Sequence, residues 1–238
     1  KTKPIAMRNI TLLMGLLHLF FAQPTLHAQL PCAPDRAAEL LASAQAILLG
    51  EDFRQAPTVA LSSLPYLETC PDAVAQKAEV HLQVASWEIS FEHIKEAAEH
   101  LQIAGSLLKE DVRQTQKIKL WQARLGLLSR DLELTKRALE EVLETPLEFD
   151  ASVCAQAWLL RARMFHLLTK PVEGSASLDS AMVYISATQS LALRAEAWSM
   201  RAELYFIAGE FAKAVAIADT ALAATAQSTD LSVAEYRY

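Results

Sequence analysis

The chain of 238 residues predicts an all-α fold, a stack of about five antiparallel helical hairpins. Three observations carry that expectation. Composition is the first: 6 Gly, 7% aromatic residues and abundant Ala and Leu favour helix, and few segments show the period-two alternation of half-buried strands. The second is internal repetition. Trp158, Arg161, Ala162 and Phe165 recur as Trp198, Arg201, Ala202 and Tyr205, 40 residues on, and Trp121, Arg124 and Leu128 form a weaker copy 37 residues earlier. Such a period marks units that cannot bury their apolar face alone and therefore stack. The third is that helical patterns come in pairs with short turn signals between them, as antiparallel neighbours require.

The N-terminus is an address before it is a fold. Met7 is a plausible start, which makes residues 1–6 upstream translation. Residues 7–28 then form a signal peptide: Arg8, an apolar run of 13 residues from Ile10 to Ala22, and a small-residue cleavage position at Ala28. Thirteen residues at ~1.5 Å each are too short to span a bilayer, so the segment predicts export to periplasm or exterior and no membrane association after cleavage. Pro31 stands where a lipobox needs a small residue, which disfavours a lipoprotein.

Residues 29–238 form the repeat domain. Asp35 can cap a first helix, Arg36 to Leu49, ended by Gly50. A second runs from Arg54 to Leu67, with Pro57 near its start and Pro65 near its end. Pro71 and Asp72 open a third, Ala73 to Ser90, and Glu92 to Lys109 is the fourth. Asp111 introduces the fifth, Val112 to Ser129. The sixth, Leu132 to Glu144, stops at Thr145 and Pro146. The seventh, Ala151 to Leu168, is ended by Lys170 and Pro171, and the eighth covers Gly174 to Thr188. The ninth and tenth are Leu191 to Ala208 and Phe211 to Thr225. After a loop from Gln227 with a cap at Asp230, Leu231 to Tyr238 opens another helix, so the array is expected to continue beyond Tyr238.

The last hairpin resembles a tetratricopeptide repeat through Trp198, Arg201, Ala202, Tyr205, Gly209, Phe211, Ala214, Ala218 and Ala221. Small residues there let two helices approach closely, and large ones fill the groove to the next hairpin. Trp158, Ala162, Phe165, Gly174, Leu178 and Ala181 repeat the pattern one hairpin earlier, and the resemblance weakens toward the first. It implies a right-handed superhelical α-solenoid whose first helices line a concave, partner-binding face. Spacings of 37 and 40 imply longer turns than the family's 34.

A net charge of −6 and a pI of about 5.6, with no Lys or Arg cluster, disfavour nucleic acid and anionic membranes as partners. Cys32 and Cys70 each precede a helix start, where hairpin ends meet. They are either a disulfide, which an exported chain can keep, or two unrelated loop cysteines. Cys154, among Val153, Ala155 and Trp158, is buried packing. His93, Glu96 and His100 share one helix face, yet a metal needs ligands converging from more than one helix, so a solvated face is expected. His81 and His166 have no visible partners.

No nucleophile elbow, phosphate loop or Cys–His signature occurs, so neither an enzyme nor a cofactor is expected. The candidate site is the inner groove. Counting around the helices from Ala162 and Ala202 directs Gln156, Leu159, Arg163, His166, Glu196, Ser199 and Glu203 into it, with Lys119 and Gln122 extending the stripe. This mixture suits a protein or peptide partner carrying both charges. It lacks the Lys and Asn pattern of repeats that grip a C-terminal carboxylate. An alternative comes from the run Leu64 to Pro71 after a signal peptide and ahead of repeats. It resembles the start of bacterial repeat proteins that end in a caspase-like CHAT protease domain. That implies a sensor region for a protease whose catalytic His and Cys match no residue of this chain.

Overall fold

A computed structural model describes residues 30–48, 50, 52–109, 111–144 and 150–225. The leader expected over residues 7–28, the residues before it and the helix expected from Leu231 lie outside these. Among the described residues the fold is all-helical and contains no strand. The elements are α1 (Pro34–Leu48), a 3-10 turn (Phe53–Gln55), α2 (Ala56–Leu61), α3 (Leu64–Glu68), α4 (Val74–Ser90), α5 (Ile94–Leu107), α6 (Val112–Ser129), α7 (Leu132–Leu143), α8 (Ala151–Leu167), α9 (Pro171–Thr188), α10 (Leu191–Ile207) and α11 (Phe211–Thr225).

Proline chemistry accounts for the main departures from expectation. The second helix is broken: Pro65 has no N–H and its ring would strike the carbonyl of Leu61 in a continuous helix. The Ser62 and Ser63 hydroxyls donate to the carbonyls of Val59 and Ala60, both at 2.6 Å, and finish α2 there. Pro171 does not end α8 at a distance but opens α9, and Pro34 likewise opens α1. The first turn leaves its N–H groups unpaired anyway, so proline costs nothing there. Asp35 consequently sits inside the first turn of α1 and is not its cap. Asp111, Asp131, Asp150 and Ser190 do cap α6, α7, α8 and α10, each accepting a backbone N–H of the first turn at 2.8–3.3 Å.

The helices pack in adjacent pairs: α1 with α2 and α3, then α4/α5, α6/α7, α8/α9 and α10/α11. The turn inside each of the last four pairs contains one left-handed residue: Glu92 (φ 62°), Arg130 (φ 59°), Thr169 (φ 55°) and Gly209 (φ 77°). His93, Lys170 and Glu210 then donate their N–H groups to the carbonyls of Glu88, Phe165 and Tyr205 at 2.8–2.9 Å, a closure that satisfies orphan carbonyls at a helix end. The left-handed residue is what turns the chain back. Glu92 and His93, expected within a helix, belong to this turn instead.

Alanines set the spacing inside the pairs. Ala78, Leu82 and Ala85 meet Ala97, Leu101 and Ala104 across α4/α5, with Ile118 and Leu125 of α6 closing the cluster. Ala155, Leu159 and Ala162 of α8 meet Leu178, Ala181 and Ile185 of α9 and Ala197, Met200 and Leu204 of α10 in the same way. At α6/α7 the backbones come closer still. A Cβ on Gly126 would lie 2.5 Å from Thr135 Oγ1 and 2.9 Å from the Asp131 carbonyl. Each pair also touches the next through its first helix, so α4, α6, α8 and α10 form a continuous layer.

The N-terminal pair is closed differently. Cys32 and Cys70 form a disulfide, with Cα atoms 4.9 Å apart and a sequence separation of 38. The Ala33 N–H donates to the Tyr66 carbonyl and the Thr69 hydroxyl to the Leu30 carbonyl, both at 3.0 Å. The segment entering α1 is thereby tied to the one leaving α3. Closing a loop of this length removes about 4 kcal/mol of unfolded-chain freedom. Disulfides persist in oxidising compartments, so the bond points to an exported setting. Among the described residues no helix is long and apolar enough to cross a membrane.

Candidate functional site: a groove across the first helices

The layer of first helices carries a groove of about 440 Å³, lined by residues of α4, α6, α8 and α10 together. Its apolar floor is Ile89, Leu127, Leu128, Leu160 and Leu167, and its polar wall is Arg124, Arg163, His166, Glu196 and Glu203. On α8, Leu160, Arg163 and Leu167 fall at i, i+3 and i+7, one stripe of a helix. The neighbouring stripe of α8, Ala155, Leu159 and Ala162, about 100° around the helix, is buried against α9 and α10, which fixes the rotation and aims Arg163 at the opening.

Charge is distributed unevenly over this wall. Arg124 lies over the Trp121 ring, 4.7 Å from its centroid, and donates through Nη2 to Gln156 Oε1 at 3.1 Å. It is therefore held by α6 and α8 before any ligand arrives. His166 Nε2 lies 3.4 Å from Glu203 Oε2, linking α8 to α10. Arg163 is exposed, Glu196 is half-buried, and neither makes an ion pair among the described residues.

Of the residues expected in the groove, Arg163, His166, Glu196 and Glu203 line it. The other five are placed elsewhere. Lys119 pairs with Glu141 of α7 at 2.7 Å, which draws it off the first-helix layer. Gln156 bonds Arg124 and the Ser152 hydroxyl and braces the wall from behind. Gln122 and Ser199 are half-buried outside the lining, and Leu159 is 2% exposed in the core. Sequence counting missed Ile89, Arg124, Leu127, Leu128, Leu160 and Leu167. Arg124 did carry a signal, as the arginine of the repeated Trp-x-x-Arg pattern. Arg161 stacks on Trp158 at 5.1 Å in the same manner, whereas Arg201 reaches across to Asp179 at 2.5 Å.

The histidines have partners that spacing did not show. His81 on α4 and His100 on α5 face each other, Nδ1 to Nδ1 at 2.9 Å, so one ring donates and the other accepts. Burial pushes His81 down to about 4, and its neighbour His100 adds to the effect. His100 is also lowered by burial, against the pull of Glu88 and Glu99. His93 leaves the helix face it was expected to share with Glu96 and His100, and its Nδ1 meets Glu88 at 2.5 Å. Among the described residues no group of three or more potential ligands converges on a metal position. Cys154 is buried, and desolvation raises its thiol, which keeps it protonated.

No protein-family model, curated protein or solved structure matches the chain.

Proposed function

We propose that this chain is a non-enzymatic interaction module: a superhelical stack of helical hairpins, tetratricopeptide-like in kind, that holds a segment of a partner protein along its first helices. One observation supports this above the rest. Four successive first helices contribute to a single groove with an aliphatic floor and a charged wall. A peptide needs that combination, apolar area for affinity and a few placed polar groups for register. The free thiol adds no chemistry to it, being buried on the other side of α8's working stripe.

Site-specific photo-crosslinking tests the reading. A crosslinking residue at Leu128 in the groove is compared with one at Val183, 70% exposed on α9, in the producing cell. The expected result is a discrete adduct from position 128, absent from 183 and weakened by Arg163→Glu and Glu203→Lys with an unchanged melting temperature. Equal adducts from both positions would overturn it. A fall of several degrees in the double variant would make those two side chains structural.

A further inference from the structure

The groove changes character along its length, and the change is ordered. At α4 and α6 the lining is Ile89, Leu127 and Leu128, with Arg124 of α6 drawn over Trp121 and bonded to Gln156. At α8 it becomes cationic through Arg163, and at α10 anionic through Glu196. These two opposite charges share one groove, yet neither is neutralised by an ion pair among the described residues. A ligand that covered them without counter-charges would strip water from both and return nothing. A ligand of one sign would meet its own sign at one of the two helices.

We infer that the partner segment is an extended chain presenting an apolar, then an acidic, then a basic side chain, about three residues apart. The order follows from the helices: the apolar group seats on α6, the acid against Arg163 of α8, the base against Glu196 of α10. The spacing follows from geometry. Packed helix axes lie about 8–10 Å apart, and an extended chain advances about 3.3 Å per residue, so three residues carry it from one helix to the next. This specificity rests on the partner-binding function proposed above and adds the pattern it would read.

Fluorescein-labelled nine-residue peptides on a Gly/Ser background test the order. One carries Phe, Asp and Lys at positions 2, 5 and 8. A second exchanges the Asp and Lys, and a third and fourth are these two written backwards, since the segment can lie in either chain direction. Fluorescence anisotropy is expected to show at least tenfold tighter binding for an apolar–acid–base order than for apolar–base–acid. The double variant Arg163→Glu, Glu196→Lys is expected to invert the preference while its far-ultraviolet circular dichroism and melting temperature stay unchanged. Equal binding of both orders, or a preference that survives the double variant, overturns the inferred pattern but leaves a peptide-binding groove. No binding of any peptide up to millimolar concentration overturns both. Should the double variant unfold, Glu196→Gln alone serves, with selective loss of the basic side chain's contribution expected and no change overturning the assignment.

Discussion

The two ends of the molecule reach order by opposite means. The first pair, α1 with α2 and α3, is irregular in sequence and broken at Ser62 and Ser63. Yet Leu67 is 2% exposed, Ala44 and Ala60 are fully buried, and a covalent bond closes the loop. The last pair, α10/α11, has the most regular repeat spacing and two unbroken helices. Its outer side nevertheless exposes Phe206 at 63%, Phe211 at 58% and Val215 at 61%. Regular spacing reports how two helices touch each other, and says nothing of what covers their far sides. Conformity to a repeat pattern and local stability are therefore separate properties here.

The largest expected effect separates the ends directly. Reducing Cys32–Cys70, or replacing both by Ser, should cost the first pair about 4 kcal/mol. Hydrogen exchange would accelerate across α1 to α3 and remain unchanged in α10. Identical exchange with and without reductant would sink the loop-entropy account. Next in size, Leu67→Ala should destabilise by about 2–4 kcal/mol, since it empties a fully buried site. Val215→Ala on the exposed side of α11 should stay within about 0.5 kcal/mol. Denaturant titration of the two variants measures the gap, and equal losses would mean that the side of α11 is covered in solution.

Acid offers a probe of the region between. His81 and His100 are held neutral, both below the ordinary histidine value of 6.5. A depressed folded-state value means that the pair's contribution is complete above pH 6.5 and is lost as pH falls toward about 4. Thermal melts over that window should show the α4/α5 pair loosening. His81→Phe should flatten the profile, and an unchanged slope would remove the pair as its cause.

The smallest effects concern the turns. Gly209→Ala forces a side chain into a left-handed backbone with open space around it, for a cost of about 1 kcal/mol. Thr169→Gly relieves the same strain at a β-branched residue and should gain about 0.5 kcal/mol. Urea melts resolve both, and a stabilised Gly209→Ala would contradict the assigned turn.

These turns also mark where the sequence was legible. α6 and α11 run between the residues expected for them, because Asp111 caps one and Gly209 with Phe211 announces the other. The equivalent turns at Glu92, Arg130 and Thr169 use residues that seldom take positive φ, so nothing in their identity announced them. In the groove the shortfall is angular. Counting from Ala162 selected Leu159 where Leu160 lines the groove, and one residue is about 100° around a helix. Lys119 went to Glu141, and His81 to His100, because partners on a neighbouring helix outweigh a position on one's own stripe. Such pairings depend on how helices lie against each other, which periodicity does not encode.

The Trp-x-x-Arg pattern has an optical consequence. The chain's 4 tryptophans are Trp87, Trp121, Trp158 and Trp198, one each on α4, α6, α8 and α10. Each indole therefore sits in a different pair, and two of them lie beneath a guanidinium that leaves when the helix melts. Variants that keep a single indole would emit from one known level of the stack. The four spectra, read against temperature, would time the loss of each pair separately, with no dye attached.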